Sequence, residues 1–428
     1  MYKEKNSQAT IHKTKNQNII PIRSRQTDQN RYSHGRPNSI RDAKRRRERR
    51  RRILKIRITL CASFLVCACF LLVWGIRAII SAGSKAPKAE TKAAANQDPA
   101  KTKEKIDTSM VQIDEITLGP DINAEKGKPV TLTVSSMGDC TLGTDINFDY
   151  SSSLNAYYDA QGPDYFFQNV RSILTADDLS IVNMEGTLTT SDQRQEKQFA
   201  FKAPPEYAAI LSGGSVEAAN MANNHSKDYG ESSYTDTITA LENAGVPTFG
   251  YERAKILKIK GIKVGVTGIY ELADHLEKQQ QVKENIAALK EAGAKLIIIN
   301  FHWGNEREYT PTDIQKTLAH LAIDEGADLV IGHHPHVLQG IERYKDKYIA
   351  YSLGNFCFGG NSNPEDKDTI IFQQTFTIED GKVKNDDNIT LIPCSLSSAS
   401  GYNDYCPVIL DGTEKQRILD KIEGCSQW

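Results

Sequence analysis

Four short aliphatic runs, each ending directly on polar residues, constrain the fold more than any other feature of this chain. In order they read VTLTVSSMGD, LSIVNMEG, AKLIIINFHWG and ADLVIGHHPH. Short aliphatic runs of this length predict strands. Between them, apolar residues recur at intervals of three and four, which predicts helices over residues 278–292 and 312–325. Strands that alternate with helices predict an α/β layered domain.

Two further pairs of runs predict antiparallel strands in the same domain. Residues 256–269 turn at a glycine, and residues 348–358 are followed by a second run over residues 369–378. Globular patterning begins near Val130 and continues to the end of the chain, without an internal repeat. The sequence therefore predicts one domain over residues 129–428.

Polar side chains follow the predicted strands at the points where they end. In open α/β sheets, ligands bind beyond the carboxyl ends of the strands, so residues far apart in sequence would converge there. The sequence therefore predicts a shared site at this edge. Its candidate residues are Asp139, Glu185, Asn223, Asn224, His225, His302, His333, His334, His336 and Asn355.

The residue types at these strand ends are those that divalent metal ions bind. Three of the nine histidines fall in the segment GHHPHVLQG. On an extended segment, alternating side chains would point His334 and His336 to the same side. Two ions about 4 Å apart can clamp a phosphoryl group and lower the pKa of a bridging water. We therefore expect one or two divalent metal ions, with Mn, Fe, Zn and Mg as the candidates.

Each candidate residue also has an ordinary structural interpretation. Asp139 after a glycine is typical of a turn. Glu185 could be an acidic residue at the N-terminus of a helix. Five such endings on successive strands favour a shared site over coincidence. His275 and His320, in contrast, are assigned to helix-surface or packing positions.

An uncharged run of nineteen residues separates two parts of the chain with different charge. It reads ITLCASFLVCACFLLVWGI, between Arg57 and Arg77, and a bilayer core requires about 20 apolar residues in a helix. The segment KRRRERRRR before it predicts a cytoplasmic N-terminus, because lysine and arginine stay on that side. A cleaved signal peptide is disfavoured, since the leading region is too long. We expect a single-pass protein of the cell membrane, with a transmembrane helix over residues 58–80 and an extracellular C-terminal domain.

The charge distribution agrees with this division. Residues 1–52 contain 17 Lys/Arg and 4 Asp/Glu, a net charge of +13, whereas residues 78–428 contain 33 and 50, a net charge of −17. The basic tail over residues 1–57 has few large apolar residues, which predicts disorder. Such a tail either binds nucleic acid or lies on the anionic inner leaflet. The second needs no further partner, so no nucleic acid is expected. Residues 81–128, rich in Ala, Lys, Thr and Pro, predict an extracellular spacer.

The cysteines do not predict a structural zinc site. Three of the eight lie in the apolar run, and no CxxC pair is present. Cys394, Cys406 and Cys425 are near enough in sequence for one disulfide, with the pairing left open.

Six segments of the chain resemble, in order, the blocks of the CapA family of bacterial poly-γ-glutamate capsule synthesis proteins. They are MGDCTLG, NMEGTLT, ANMANNHSKDYG, NFHWGNEREYTP, GADLVIGHHPHVLQGIE and YSLGNFCFGG. The resemblance covers residues 130–358. The family is related to the calcineurin-like metallophosphoesterases, which implies a four-layer α/β/β/α sandwich with metal ions at its rim.

Carried over by position, the resemblance implies roles for individual residues. His225 would face the leaving group or scissile oxygen as a catalytic residue, and Glu185 stands where the phosphoesterases place a bridging aspartate. His333 and Asn355 are family-like neighbours without an assigned role. The implied metal ligands are Asp139, Glu185, Asn224, His302, His334 and His336.

Two positions depart from the phosphoesterase pattern. Thr141 stands where a histidine follows the first aspartate by two residues, and Ser226 stands where an acid follows the Asn-His pair. Either one metal position lacks a ligand or His333 supplies it. Metal binding is expected despite these changes, whereas two-metal hydrolysis is less well supported.

Three functions are compatible with this sequence. The first is assembly, anchoring or export of an anionic polymer such as poly-γ-glutamate, together with polymer ligase or export proteins. A domain of net charge −17 would then need local positive charge, either a metal ion or residues such as Arg307, Lys202 and Arg194. The second is a metal-dependent phosphoesterase or amide hydrolase of the cell envelope with His225 as general acid. The third is a non-catalytic polymer-binding scaffold whose remnant site is structural.

Overall fold

The computed structural model describes residues 106–120, 127–384 and 388–426. The predicted cytoplasmic tail and transmembrane helix lie outside the described residues, as does most of the predicted spacer. Within the described ranges, no helix has the length and apolarity needed to cross a bilayer. Membrane anchoring therefore stays a prediction from the sequence.

The described ranges contain nineteen strands and seven α-helices. The strands are β1 (Gln112–Leu118), β2 (Val130–Thr141), β3 (Thr144–Asp145), β4 (Leu179–Met184), β5 (Thr187–Leu188), β6 (Phe201–Ala203), β7 (Ala218–Asn220), β8 (Thr248–Phe249), β9 (Arg253–Ile259), β10 (Ile262–Tyr270), β11 (Leu296–His302), β12 (Leu329–His333), β13 (Ile341–Tyr344), β14 (Lys347–Ala350), β15 (Asn355–Phe358), β16 (Asp368–Glu379), β17 (Lys382–Val383), β18 (Ile389–Ser395) and β19 (Val408–Ile409). The helices are α1 (Leu154–Gln161), α2 (Arg171–Leu174), α3 (Ala209–Gly213), α4 (Glu231–Asn243), α5 (Gln279–Glu291), α6 (Asp313–Glu325) and α7 (Gly412–Cys425).

Most strands belong to two large sheets. The first has seven strands in the order β1-β9-β10-β11-β12-β14-β13. The second has the order β19-β18-β16-β2-β4-β7-β8, with β15 paired to β2 and β17 to β16. Strands β3, β6 and β5 form a small third sheet. Because β10, β11 and β12 run parallel in the first sheet, and β2, β4 and β7 do so in the second, each sheet collects several carboxyl ends at one edge.

Three apolar clusters arrange these elements in four layers. Side chains of both large sheets meet in one buried cluster that includes Val134, Ile181, Val264 and Ile298, so the sheets pack face to face. Helices α5 and α6 cover the outer face of the seven-stranded sheet. Helices α1 to α4 contribute to the cluster on the outer face of the nine-stranded sheet. The observed order is helix, sheet, sheet, helix, and the predicted α/β class is confirmed.

The helices flanking the third and fourth aliphatic runs begin and end near the predicted positions, for local reasons. Thr312 caps α6, because its hydroxyl accepts a hydrogen bond from the Gln315 backbone N–H while the Gln315 side chain accepts one from the Thr312 backbone N–H. Gly326 ends the helix in the left-handed conformation, at φ 105°. Helix α5 spans residues 279–291, within one residue of its predicted bounds.

One of the two predicted antiparallel pairs is correct and the other is wrong. Strands β9 and β10 are antiparallel, as predicted. The runs near residues 355 and 370 do not pair with each other, because both pair with the long strand β2. Strand β15 joins the C-terminal end of β2 in parallel, whereas β16 joins its N-terminal part antiparallel. Strand β1 lies inside the predicted spacer. Its charged sequence, QIDEITL, did not indicate a strand, but β1 pairs with β9 at the edge of the seven-stranded sheet.

The disulfide considered for the C-terminal region is not formed. All five cysteines of the described ranges are free thiols. Burial raises the pKa of Cys394 to about 12 and that of Cys406 to about 11. Both therefore stay protonated and serve as packing residues near neutral pH.

Candidate metal centre

Strand register brings the polar strand ends of both sheets to one place. In the nine-stranded sheet, Asp139 on β2 stands opposite Asn183 on β4 and Asn355 on β15. In the seven-stranded sheet, His302 on β11 stands opposite His333 on β12. The Asn183 amide links the two sheets, since its Nδ2 lies 2.8 Å from Asp139 Oδ1 and 3.2 Å from His302 Nδ1. The segments that sequence analysis expected to converge therefore do so.

A close approach of two chain segments explains the glycine before Asp139. The Asp139 backbone N–H donates to the carbonyl of Gly354 at 3.0 Å. A Cβ on Gly138 would lie 2.0 Å from that same carbonyl oxygen, so only glycine fits there. This contact holds the Asp139 carboxylate at the sheet edge.

Glu185 carries the carboxylate at the middle of the site. It directly follows β4, its side chain is fully buried, and neither of its oxygens has a hydrogen-bond partner within the described residues. Its Oε1 lies 3.7 Å from His302 Nε2, 3.8 Å from His336 Nε2 and 4.0 Å from His225 Nε2. A buried ionised carboxylate without hydrogen bonds is costly, so this arrangement fits a cation between the carboxylate and the imidazoles.

Two overlapping sets of donor atoms share Glu185. One set is Glu185, His302 and His334, the other is Asp139, Glu185 and His336, and the donor atoms of each set lie within 4.8 Å of one another. A third set joins Glu306 to the two histidines of the HPH segment. Oxygen and imidazole donors at such spacing fit divalent transition ions. A carboxylate common to two sets is suited to bridge two neighbouring ions.

The HHPH segment lies at the site, but its backbone conformation differs from the predicted one. Strand β12 ends at His333, and the next histidines adopt left-handed backbone conformations, with φ 95° at His334 and φ 57° at His336. The prediction of an extended segment is therefore wrong. The two rings still face the same site, with centroids 5.6 Å apart, because the turn carries both toward it. Non-glycine residues at positive φ are strained and are often found at functional sites.

Asn224 lies at the edge of the same cluster. Its Oδ1 accepts a hydrogen bond from His302 Nε2 at 2.7 Å. The adjacent Asn223 points into the protein and donates to the Met184 carbonyl at 2.8 Å. Of the two asparagines, Asn224 has the side-chain oxygen at the centre, whereas Asn223 holds the turn.

His225 has an acid partner that the sequence comparison placed elsewhere. Its Nδ1 donates to Asp228 Oδ2 at 2.7 Å, and Lys197 pairs with the other oxygen of Asp228. Ser226, at the position of the expected acid, bonds the Asn223 carbonyl and the Tyr251 hydroxyl. The acid is therefore present three residues after the histidine. This pairing fixes the His225 tautomer with Nε2 turned toward Glu185.

His333 belongs to none of the donor sets found within the described residues. His333 Nδ1 lies 3.5 Å from Asp139 Oδ1, and its Nε2 lies 3.2 Å from Asn300 Oδ1. This places His333 next to Asp139 without a hydrogen bond between them within the described residues. Asn355 also lies next to a donor residue, because its Oδ1 accepts from His336 Nδ1 at 2.8 Å. Both residues therefore contact donor residues of the centre.

Burial keeps three imidazoles of the centre neutral. It lowers the pKa of His333 to about 4 and that of His334 to about 3, and it holds the pKa of His302 well below its ordinary value. Neutral imidazole is the form that binds metal ions. His336 differs: burial lowers its pKa, but the carboxylates of Glu185 and Asp139 raise it more strongly. Burial also raises the pKa of Glu185, which lacks any hydrogen bond.

Residues 133–360 match the family described as bacterial capsule synthesis protein PGA_cap. The chain belongs to this family. It is 31% identical over 253 residues to the capsule biosynthesis protein CapA of Bacillus anthracis, covering 53% of this chain and 60% of the relative. It is 31% identical over 222 residues to the PGA biosynthesis protein CapA of Bacillus subtilis, covering 46% and 58%. The chain thus matches about 60% of the length of these relatives.

The similarity to solved structures is weaker. The NAD nucleotidase NadN of Haemophilus influenzae matches with 11% identity and a TM-score of 0.38, over 70% of this chain and 57% of that chain. A score at this level does not extend the assignment beyond the capsule synthesis family.

A cavity of about 1140 Å³ opens from the centre of this family member to the surface. His225, His336 and Asn355 line its inner end, and Arg417 and Lys421 line its outer part. Sequence analysis named Arg307, Lys202 and Arg194 as the cations that could bind an anionic polymer. Among these three, only Arg307 lines the cavity, and its side chain has no partner within the described residues. Arg194 pairs with Asp145 and Lys202 with Asp192. Local positive charge at the site therefore rests on Arg307 among these three.

Sequence reasoning missed three polar residues of the site. Asn183 lies inside a strand, Glu306 follows His302 by four residues, and Asp228 follows His225 by three. The quoted segments contain all three, but nothing in their spacing shows which way their side chains turn.

Proposed function

We propose that this chain is a membrane-anchored, metal-dependent hydrolase that acts in the synthesis of a poly-γ-glutamate capsule. One observation carries the proposal: the buried Glu185 carboxylate, which has no hydrogen bond within the described residues, is shared by two sets of metal-type donors. A bound cation balances this charge, whereas a purely structural remnant would retain a cost with no compensation. The four-layer arrangement, with the donors at strand ends, supports a sandwich of the metallophosphoesterase type.

The donors favour a transition ion. Nitrogen ligands suit Mn, Fe or Zn better than Mg. When bound, such ions supply Lewis acidity and lower the pKa of water. The residues that would hold them are Asp139, Glu185, Asn224, His302, His334 and His336, with Glu306 at the exposed edge.

The chain's own residues supply the proton transfer. His225 Nε2 faces Glu185, and its Nδ1–H is fixed by Asp228. In this orientation Nε2 takes a proton from the attacking water and returns it to the leaving atom. Asn183 orients Asp139 and His302 together, so that the donors stay in place through turnover.

The polymer and the location come from the family and the sequence. The relatives named above are described as capsule or PGA biosynthesis proteins. The apolar run over residues 58–76 and the basic tail before it support a membrane anchor with an extracellular domain. The net negative charge of that domain is screened beyond about 10 Å, so binding of an anionic polymer rests on the metal and Arg307. A polymer ligase and export proteins of the membrane are the partners we propose.

Two measurements on the full chain in detergent test this proposal. Metal analysis of the purified protein should find a bound transition ion. A Mn²⁺-dependent phosphodiesterase and amidase assay should show turnover that His225→Ala abolishes. His320→Ala is the matched control, because His320 on helix α6 pairs with Glu342 on β13 and neither residue lines the cavity. Bound metal without turnover on any substrate would instead support a non-catalytic scaffold that holds the polymer through the metal.

A further inference from the structure

Three phenylalanine rings form a continuous apolar surface beside the metal centre, which we call the phenylalanine wall. The ring centroid of Phe201 lies 4.6 Å from that of His225, and the ring centroid of Phe358 lies 5.3 Å from that of His336. Phe199 stacks on Phe201 at 6.3 Å with the ring planes 6° apart, and 41% of its surface is exposed. The wall thus runs from two imidazoles of the centre out to solvent along the cavity.

One carboxylate fixes both the wall and His225. Asp228 Oδ2 accepts a hydrogen bond from His225 Nδ1 at 2.7 Å and another from the Phe201 backbone N–H at 2.6 Å. The neighbouring Ala200 N–H is bound by the buried Asp145 carboxylate at 2.7 Å. Because one side chain positions both groups, the wall keeps a constant place relative to Nε2 of His225.

Gly360 packs against two rings of the wall. A Cβ at this position would lie 2.5 Å from the Phe358 ring and 3.1 Å from the Phe201 ring. Any side chain there must displace one or both rings. The position therefore offers a way to disturb the wall without touching a polar residue of the centre.

The other side of the cavity mouth is charged. Arg307 and Glu306 line it, and the Arg307 backbone N–H is tied to the Pro335 carbonyl at 2.8 Å, within the HHPH segment. Lys367 also lines the cavity, and its side chain donates to two neutral oxygens, those of Asn363 and Ser400. The cavity mouth is therefore apolar on the side of His225 and polar on the side of Arg307. An exposed aromatic surface at the mouth of a site is typical of ligand contact.

We propose that the phenylalanine wall binds an apolar leaving group. The substrate would be a phosphoryl or acyl compound whose anionic part lies toward Arg307 and whose leaving alcohol or amine carries an aryl or alkyl group. In the reaction, the oxygen of water bonds to phosphorus or to the acyl carbon, and the bond to the leaving atom breaks. The proton released by water passes through His225 Nε2 to that leaving atom. This inference rests on the proposed function for the place of reaction.

Binding of two non-hydrolysable probes tests this subsite without turnover. Phenylphosphonate and methylphosphonate share one head group and differ only in the apolar group. Calorimetric titration of the Mn²⁺-loaded full chain should give about tenfold tighter binding of phenylphosphonate, because its ring is buried on the wall. In Phe199→Ala and in Gly360→Ala this preference should fall below about threefold. Met110→Ala, an exposed apolar residue outside the cavity, should keep the full preference.

The outcomes separate this inference from the proposed function. A wild-type preference below twofold, binding of neither probe, or a preference unchanged in both wall variants would overturn it. A prior Mn²⁺ titration of the same sample reports on the metal centre alone. If Mn²⁺ does not bind, the proposed function fails, and the same ratio measured on the metal-free protein still decides whether the wall selects the aryl group.

Discussion

The acidic side chains at the two ends of the cavity differ in their hydrogen bonding. At the inner end, Glu185 is buried without a hydrogen bond and faces imidazoles at 3.7 to 4.0 Å. At the outer end, Asp368 accepts hydrogen bonds from both Arg417 terminal nitrogens, at 2.7 and 2.6 Å, and from Lys421 at 2.9 Å. The outer carboxylate accepts hydrogen bonds from helix α7 on both oxygens, whereas the inner one accepts none within the described residues.

This difference separates stability from function. The outer ion pairs fasten the C-terminal helix to the start of β16, so their loss should cost folding free energy. For the inner carboxylate, the free energy contributed by its protein neighbours is smaller than the free-energy cost of burying it. Uncompensated polar groups and strained backbone, found together here, are characteristic of functional sites. The four predictions that follow test this contrast, from the largest expected effect to the smallest.

The largest effect is expected for His225→Ala. This change removes the proton-transferring Nε2 but no donor of either metal set. Turnover should fall by about 10²- to 10⁴-fold while the bound Mn²⁺ per chain stays the same. Steady-state kinetics and metal analysis on one preparation check both statements, with His320→Ala as control. Unchanged turnover would remove His225 from the mechanism.

Glu185→Gln should weaken Mn²⁺ binding by roughly 100-fold or more, since both donor sets lose their common carboxylate. The same change should leave the metal-free protein equally stable or more stable, because it removes a buried carboxyl group that has no hydrogen bond within the described residues. Calorimetric titration gives the first quantity, and urea unfolding in the presence of a chelator gives the second. A marked loss of stability without metal would show that Glu185 is a structural residue.

Asp368→Asn should have the opposite effects on stability and on metal affinity. It should lower the free energy of unfolding by about 2 kcal/mol at pH 7 and leave Mn²⁺ affinity unchanged. Burial raises the pKa of Asp368, but the bonds from Arg417 and Lys421 outweigh this and hold the pKa below 3.8. The stabilisation is therefore present above pH 3.8 and is lost as the pH falls through the pKa of the folded state.

Urea unfolding as a function of pH checks this sign. The difference between wild type and Asp368→Asn should shrink below pH 3.8. Asp420→Asn, on the exposed face of the same helix, should stay within about 0.5 kcal/mol of wild type. A difference that grows toward low pH would contradict the assignment.

The smallest effect is expected for Arg307→Gln. This exposed guanidinium can bind the distal charge of a ligand, but salt and solvent weaken such contacts. The dissociation constant of 3-phosphonopropionate should rise about three- to tenfold, with that of propylphosphonate unchanged. Lys382→Gln, an exposed lysine on β17, is the control. Equal changes for both probes would mean that Arg307 does not bind the carboxylate.

Much of the inner site could be predicted from the sequence because it is built on strand ends. A buried parallel strand gives a continuous aliphatic run, and its last residue must lie at the sheet edge. That rule alone brings Asp139, His302 and His333 together. This rule applies because the direction of the strand, and not the conformation of the loop, determines where these side chains lie.

The residues that depend on loop geometry could not be predicted in this way. The left-handed turns at His334 and His336 have no clear signal in their sequence, since histidine rarely adopts positive φ. Asp228 becomes the partner of His225 only because the following turn folds back. The shared pairing of β15 and β16 with β2 is likewise a long-range choice that local patterns do not contain.

The most direct measurement is an anomalous difference map from a crystal of this chain grown with Mn²⁺. The account predicts at least one peak about 2.0–2.2 Å from a Glu185 oxygen, also coordinated by His302 and His334 or by Asp139 and His336. A saturated crystal with no peak in contact with Glu185, or with peaks only at exposed carboxylates, would contradict it.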